Sequence, residues 1–325
     1  MDEPEIVKVM GQRERILVIK HGALGDIVQG LDAFASLRAG CPNAHIALVT
    51  TPAFASLAAM MPWFDEVITD PRAPAFNIRQ IIRMLSILRD GWDKIVDLQC
   101  SRRTAHYHRF YASSDSRWFS TANGVSDPYP DFTGVNNHRR MLTGVGMAGG
   151  RELAPDEVDF SWLRGTNSAA AVPFEGLRGR PFAILIPGCS AAKPQKKWPA
   201  ERFVALANAL HFAGMEIAIV GTKTDRPDAD LLMKGAPHCH DLVGKTDIKG
   251  LAELLAMSNA VVGNDTGPLF LGARLGARSV MVMGPDTNPL MSAPTGPRCG
   301  WLQADPIKDV SVDAVLAALD NLLTV

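Results

Sequence analysis

The chain has no long hydrophobic run: nothing in its sequence approaches the ~20 consecutive apolar residues that a membrane-spanning helix needs. Any membrane contact is therefore expected to be peripheral. The opening segment MDEPEIVKVMGQRER is charged and has no apolar core of the kind a secretory signal carries, so a cytoplasmic location is expected. Cysteine is sparse. Cys41, Cys100, Cys189, Cys239 and Cys299 stand far apart and never as a C-x-x-C pair, which argues against a disulfide framework and a zinc site alike and fits a reducing compartment. An excess of one charge is also missing: the formal net charge is -1 and the pI near 6.7, so the global footprint of a nucleic-acid binder is absent. No short repeat or low-complexity segment is present.

What remains is an ordinary globular composition, 47% apolar and 21% charged, over 325 residues. At ~100 to 200 residues per domain that length predicts two domains. The first half alternates strand-like and helix-like pieces: strand Ile16–Lys20, helix Ile27–Leu37, strand Ile46–Thr50, helix Phe54–Met61, strand Glu66–Thr69, helix Asn77–Asp90, strand Lys94–Leu98. A stretch from Arg164 to Arg180, rich in Gly, Ala, Ser and Pro, reads as a linker. The rhythm then restarts with strand Phe182–Ile186, helix Ala200–Ala213, strand Glu216–Val220, helix Ile248–Ser258, strand Ala260–Gly263, helix Leu269–Leu275, strand Ser279–Met283 and a closing helix Val312–Leu323. Strands separated by helices imply parallel sheets covered on both faces, here two doubly wound α/β domains, residues 1–172 and 173–325.

The loop KHGALGDIVQG, Lys20 to Gly30, leaves the first strand through Gly22 and Gly25 and sets Asp26 at the start of a helix. It lacks the G-x-G-x-x-G of a dinucleotide site, the second strand ends in Val49-Thr50-Thr51 without an acid for a ribose, and Asp26 would oppose a pyrophosphate docked there. Two readings of Asp26 remain: a helix-capping acid, or a general base held by glycines at the sheet's C-terminal edge.

In the second half, VVGNDTGPLFLGARLG, Val261 to Gly276, turns from strand to helix through Asn264, Asp265, Thr266, Gly267 and Pro268. Pro suits the first helical turn, Gly267 lets a ligand approach the backbone, and the free amides with the Thr266 hydroxyl make a phosphate site. KPQKKWPAERF brings Lys193, Lys196 and Lys197 to the same sheet edge, pinned by Trp198 and Pro199. GTKTDRPDADL adds Asp225, a partner for ribose hydroxyls or a cap of the following helix.

With K-x-x-x-L-G-D after the first strand, K-x-W-P near the middle and G-N-D-T-G-P before a late helix, the chain resembles glycosyltransferase family 9, the ADP-heptose:lipopolysaccharide heptosyltransferases, from Ile16 to about Pro289. The resemblance implies the GT-B architecture, two Rossmann-like domains facing a central cleft, the first for the acceptor and the second for the nucleotide sugar. It implies inverting, metal-independent transfer of heptose from an ADP-sugar, with no cofactor beyond that donor substrate. Residue by residue it makes Asp26 the base and Lys196 the contact to the donor's phosphates. Ser190, Asp225, Asp265, Thr266, Gly267 and Pro268 join the donor site, and Gly22 and Gly25 shape the acceptor loop. Where members of the family often have His three residues beyond the glycine of D-T-G, this chain has Phe270, and the serines often found before L-G-D are replaced by Gly22 and Ala23.

From Arg72 to Arg140 eleven Lys or Arg stand against six acids, with Arg102 and Arg103 at the centre. That local excess fits an anionic glycolipid or glycan acceptor, or a lipid surface at the inner face of the cytoplasmic membrane, as readily as plain solvated surface. No nucleic acid is expected as a partner. A transferase with another nucleotide-sugar donor, and a catalytically silent nucleotide-binding protein of the same fold, stand as alternatives.

Overall fold

Continuous apolar, β-branched runs such as RILVI and FAILI bury both faces, and a parallel sheet covered by helices on both sides accommodates them. The computed structural model describes residues 13–74, 76–113, 115–154, 157–163, 176–189 and 194–323 and contains two such sheets. The first consists of β1 (Arg15–Ile19), β2 (His45–Thr50), β3 (Glu66–Thr69), β4 (Lys94–Asp97), β5 (Arg117–Ser120) and β6 (Asp127–Pro128), in the order β3-β2-β1-β4-β5-β6 and parallel throughout. The second consists of β7 (Phe182–Ile186), β8 (Glu216–Ile219), β9 (His240–Asp241), β10 (Ala260–Asn264), β11 (Ser279–Met283) and β12 (Cys299–Gln303), in the order β12-β11-β10-β7-β8-β9, again all parallel. In both, the chain starts centrally, builds outward, then returns beside its first strand and builds the other way. This is the doubly wound α/β class expected, two Rossmann-like units of the GT-B type.

The helices are α1 (Leu24–Gln29), α2 (Leu31–Gly40), α3 (Ala55–Ala58), α4 (Ile78–Leu88), α5 (Arg102–Tyr111), α6 (Asn137–Met147), α7 (Ala200–Phe212), α8 (Arg226–Gly235), α9 (Ile248–Met257), α10 (Gly267–Arg274), α11 (Pro289–Ser292) and α12 (Val312–Asn321). The single helix expected over Ile27–Leu37 is two: Gly30 caps α1, its amide donating to the Ile27 carbonyl, and α2 starts afresh at Leu31. α5, β5, β6, α6, β9, α11 and β12 are additions to the sequence reading. Of the expected linker, residues 164–175 lie outside the described residues.

The two compact units do not divide at one cut. Unit 1 takes Met1–His21, Ala33–Asp131 and Met141–Leu153; unit 2 takes Gly22–Asp32, Phe132–Arg140 and Ala154–Val325. An ion cluster ties the two early segments into unit 2. Arg274, at the end of α10, donates from Nε (2.9 Å) and from Nη2 (2.6 Å) to Asp32 Oδ1, and His138 Nε2 lies 2.5 Å from Asp32 Oδ2. Burial pushes the Asp32 carboxyl up, but the bonds from His138 and Arg274 outweigh it and hold it below the usual carboxylate range. Arg274 also stacks 4.7 Å above Phe160.

In unit 2 the core lies between β7, β8, β10 and the helices α7, α8 and α12. Trp198 is its largest member; it packs edge-on to Phe203 with centroids 5.0 Å apart, and its indole N–H donates to the Val310 carbonyl at 3.0 Å. Burying such a ring stabilises by about 1.5–3 kcal/mol, and it fixes the lysine-rich loop just before it.

Candidate functional site in unit 2

Ligands of doubly wound sheets bind at the carboxyl ends of the strands where the order reverses, which in unit 2 is between β7 and β10. Asn264, the last residue of β10, is fully buried and joins three segments there. Its Oδ1 accepts from the Trp198 amide (2.9 Å) and its Nδ2 donates to the Pro187 carbonyl (2.8 Å). The loop after β7, the lysine loop and the start of α10 are thereby fixed to one another.

Lys196 closes a short 3-10 turn and its ammonium is paired with the Asp265 carboxylate, both side chains nearly buried. The same carboxylate oxygen accepts from Thr287 Oγ1 at 3.1 Å. Asp265 is thus committed to orienting Lys196. Thr266 is the N-cap of α10, but its hydroxyl donates to the Asn264 carbonyl (3.3 Å), so no side chain caps the helix and Pro268 removes one amide from the first turn. The open start of a helix dipole is left for an anion. Lys197 pairs instead with Asp228 at 2.5 Å, which raises its ammonium pKa.

Asp225 turns Oδ2 back onto its own loop, accepting from the Thr222 amide (2.7 Å) and hydroxyl (2.8 Å). The side chain therefore does not cap α8. Its Oδ1 lies over Gly188, where an added Cβ would stand 2.2 Å away.

The loop after β1 contributes α1. The N-cap of α1 is Ala23, not Asp26, which occupies the third helical position; among the described residues its half-buried carboxylate has no hydrogen-bond or ion-pair partner. Gly22, at φ 119°, holds the left-handed turn before it. α1 sits directly on the start of α10: a Cβ on Gly25 would stand 3.1 Å from the Phe270 ring, and one on Gly267 would stand 2.7 Å from Leu24.

These elements enclose a cavity of about 750 Å³, lined by Gly25, Asp26, Lys196, Asp225, Asp265, Thr266, Gly267, Pro268 and Phe270. Thr222, Thr246 and Asp247 also line it and were missed in the sequence. The available signal was the strand–loop–helix step from β9 to α9, where Asp247 caps α9 by accepting from the Gly250 amide at 2.8 Å. Ser190 and Lys193 lie outside the described residues. Among the described residues no three His, Cys, Asp or Glu side chains come together as a metal site.

Arg102 and Arg103 belong to unit 1, at the start of α5. Arg102 is exposed, whereas Arg103 donates to the carbonyls of Ala73 and Arg72, each at 3.1 Å. Lys20 of the first motif is a brace: buried, it donates to the Leu98 carbonyl at 3.1 Å. His21, in the same loop, is buried, with Nε2 2.8 Å from Asp70 Oδ2, the oxygen that also accepts from the Tyr107 hydroxyl at 2.6 Å.

Known proteins resemble this chain in sequence and fold. The chain is 24% identical over 279 residues to lipooligosaccharide heptosyltransferase 2 of Haemophilus ducreyi, covering 80% of each chain. Among solved structures, a glycosyl transferase family 9 protein from Veillonella parvula superposes with a TM-score of 0.80 at 20% identity, covering 96% of this chain and 97% of that one. An Escherichia coli heptosyltransferase solved with ADP superposes with a TM-score of 0.75 at 19% identity, covering 95% and 99%. At these identities the superpositions establish the fold. The family model for glycosyltransferase family 9 (heptosyltransferase) matches residues 129–310, more than half of the sequence and the loops after β7, β8, β9 and β10 that line the cavity, and the chain therefore belongs to that family of glycosyltransferases.

Proposed function

We propose that this enzyme moves a heptose from an ADP-sugar to a lipopolysaccharide-core or related glycan acceptor, with inversion and without a metal ion, in the cytoplasm or at the inner face of its membrane. The observation that carries the proposal is the Asp26 carboxylate: without a partner among the described residues, it lines the same cavity as Lys196 and the uncapped start of α10. An acceptor hydroxyl gives its proton to Asp26 and its oxygen forms the new bond to the anomeric carbon, while the bond from that carbon to the diphosphate breaks and ADP leaves. One displacement inverts the centre once. The charge that develops on the diphosphate is met by the Lys196 ammonium, oriented by Asp265, and by the amides at the start of α10, the role a metal would otherwise fill. Asp225, with Oδ1 turned away from its own loop, suits the ribose hydroxyls of the adenosine. Arg102 and Arg103 supply positive charge for an anionic acceptor.

The test is incubation of the purified protein with ADP-heptose and a heptose-deficient lipopolysaccharide core, read by mass spectrometry as a gain of one heptose. Asp26→Asn should lower the rate about 100- to 10,000-fold while an ADP-dependent rise in Tm persists. Transfer from a UDP- or GDP-sugar in place of ADP-heptose would replace the donor assignment. Phe270 favours that second reading, since it puts an apolar ring against the Asp26 helix where a polar side chain would grip a sugar hydroxyl.

A further inference from the structure

A surface helix needs one apolar stripe, the one it buries; α4 has two. Met84 and Leu88 face the core, while Ile78 and Ile82, one turn apart on the same side, are 69% and 60% exposed. Phe76, just before α4, is 84% exposed, and Phe110 on the neighbouring α5 is 58% exposed. Phe110 is held outward by neighbours on its own helix: the His106 ring stacks on it at 5.9 Å and the Arg109 guanidinium lies 5.5 Å from its centroid. Between α4 and α5 runs a cavity of about 370 Å³ with walls of Ile81, Met84, Tyr107 and Phe110 and with Arg103 among its lining residues.

The charge on the two helices is of one sign. Neither IRQIIRMLSIL nor RRTAHYHRFY contains an acid. Arg72, Arg79, Arg83, Arg89, Arg102, Arg103 and Arg109 form no ion pair among the described residues. Of the acids nearest in sequence, Asp70 is fully buried and accepts from Gln80 Nε2 (3.0 Å) and the Tyr107 hydroxyl (2.6 Å), Asp90 pairs with Arg15 at 2.7 Å, Asp93 accepts from the Arg15 amide at 2.8 Å, and Asp97 is fully buried.

We infer that the α4–α5 face docks the enzyme on an anionic phospholipid bilayer. The arginines meet lipid phosphates at headgroup level, Ile78 and Ile82 reach past them into the acyl boundary, and the groove between the helices accepts part of an acyl chain. Long arginine stems suit this, since their methylenes lie on apolar surface while the guanidinium stays with the phosphates. The inference goes beyond transfer chemistry, and its primary readout, vesicle binding, needs neither donor nor acceptor.

The experiment is flotation of the full chain with vesicles of equal parts phosphatidylglycerol and phosphatidylcholine, against pure phosphatidylcholine. Binding to the anionic vesicles alone, weakened by salt, is expected. Ile78→Asp with Ile82→Asp, and separately Arg79→Glu with Arg83→Glu, should each lower the bound fraction about tenfold or more. Because these side chains are exposed, Tm and transfer to a detergent-dispersed acceptor should be unchanged. No binding, equal binding to both vesicle types, or undiminished binding by both double variants overturns the inference. Loss of transfer with retained vesicle binding would count against the proposed function and leave this surface standing.

Discussion

Gly267 and Leu24 meet so closely that a Cβ on Gly267 would stand 2.7 Å from the Cβ and Cγ of Leu24. The contact seats α1, and with it Asp26, on the start of α10. Leu24 cannot yield as the tip of a long side chain would, because the atoms concerned lie next to its backbone. Gly267→Ala is therefore expected to push α1 off its seat. A misplacement of about 1 Å can cost a reaction 100-fold, so transfer should fall by 10- to 100-fold, with a stability loss of about 1–3 kcal/mol. Comparing kcat with the calorimetric Tm checks this: a kcat loss in protein that is still folded below its Tm is the expected pattern, and unaltered turnover would show that the seat is not needed.

Lys196 and Asp265 make a second prediction, because the pair separates orientation from charge. Lys196→Ala removes the cation and leaves Asp265 near a diphosphate, so ADP affinity should drop tenfold or more, roughly the ~1.5–3 kcal/mol of a charge-assisted hydrogen bond. Asp265→Asn keeps the cation but releases it, and should cost less affinity than rate. Calorimetric titration with ADP, set beside kcat, distinguishes the two.

Much of this site was legible in the sequence, for a physical reason. The strand cores are continuous apolar runs, and the loops after them carry Gly, Pro, Asp and Lys in patterns that chain geometry demands; thus β1, β7, β10 and β11 and the cavity residues Asp26, Lys196, Asp225 and Asp265 were found where strands end. What the sequence hid depends on tertiary contact. Gly30 breaks a helix whose apolar spacing continues through it, and RRTAHYHRFY is too polar for its periodicity to betray α5. His21 finds its partner forty-nine residues on, at Asp70. The transfer of Gly22–Asp32 to unit 2 rests on Arg274, 242 residues from Asp32.

The buried trio in unit 1 gives a pH prediction. Burial pushes the Asp70 carboxyl up, but bonds from His21, Tyr107 and the Arg72 amide outweigh it and hold the pKa at about 2. A carboxyl depressed in the folded state contributes stability that is complete above its unfolded value, ~4, and is lost as pH falls through about 2. The shift corresponds to about 2 kcal/mol. Asp70→Asn should therefore destabilise the protein by about that much near pH 7, and the gap from the parent should narrow as acid approaches pH 2. Urea unfolding of both proteins across that range tests this, and a constant gap would contradict it.

Gly188 carries the last prediction, because it separates nucleotide recognition from chemistry. A Cβ there would stand 2.2 Å from Asp225 Oδ1 and 2.9 Å from Asp225 Cβ, far inside contact distance. Asp225 is held on its other side by the Thr222 amide and hydroxyl, at 2.7 and 2.8 Å, so its carboxylate cannot swing away without breaking those bonds. Gly188→Ala should therefore displace the group assigned to the ribose while leaving Asp26 and Lys196 untouched. A hydrogen-bonded ribose contact is worth about 1–3 kcal/mol, so the KM for the donor should rise 5- to 100-fold with kcat little changed. Asp225→Ala in the same background should add almost nothing, since two changes that remove one interaction are not additive. If Gly188→Ala instead lowered kcat at saturating donor, Asp225 would have to be reassigned from holding the adenosine to shaping the reacting end of the cavity.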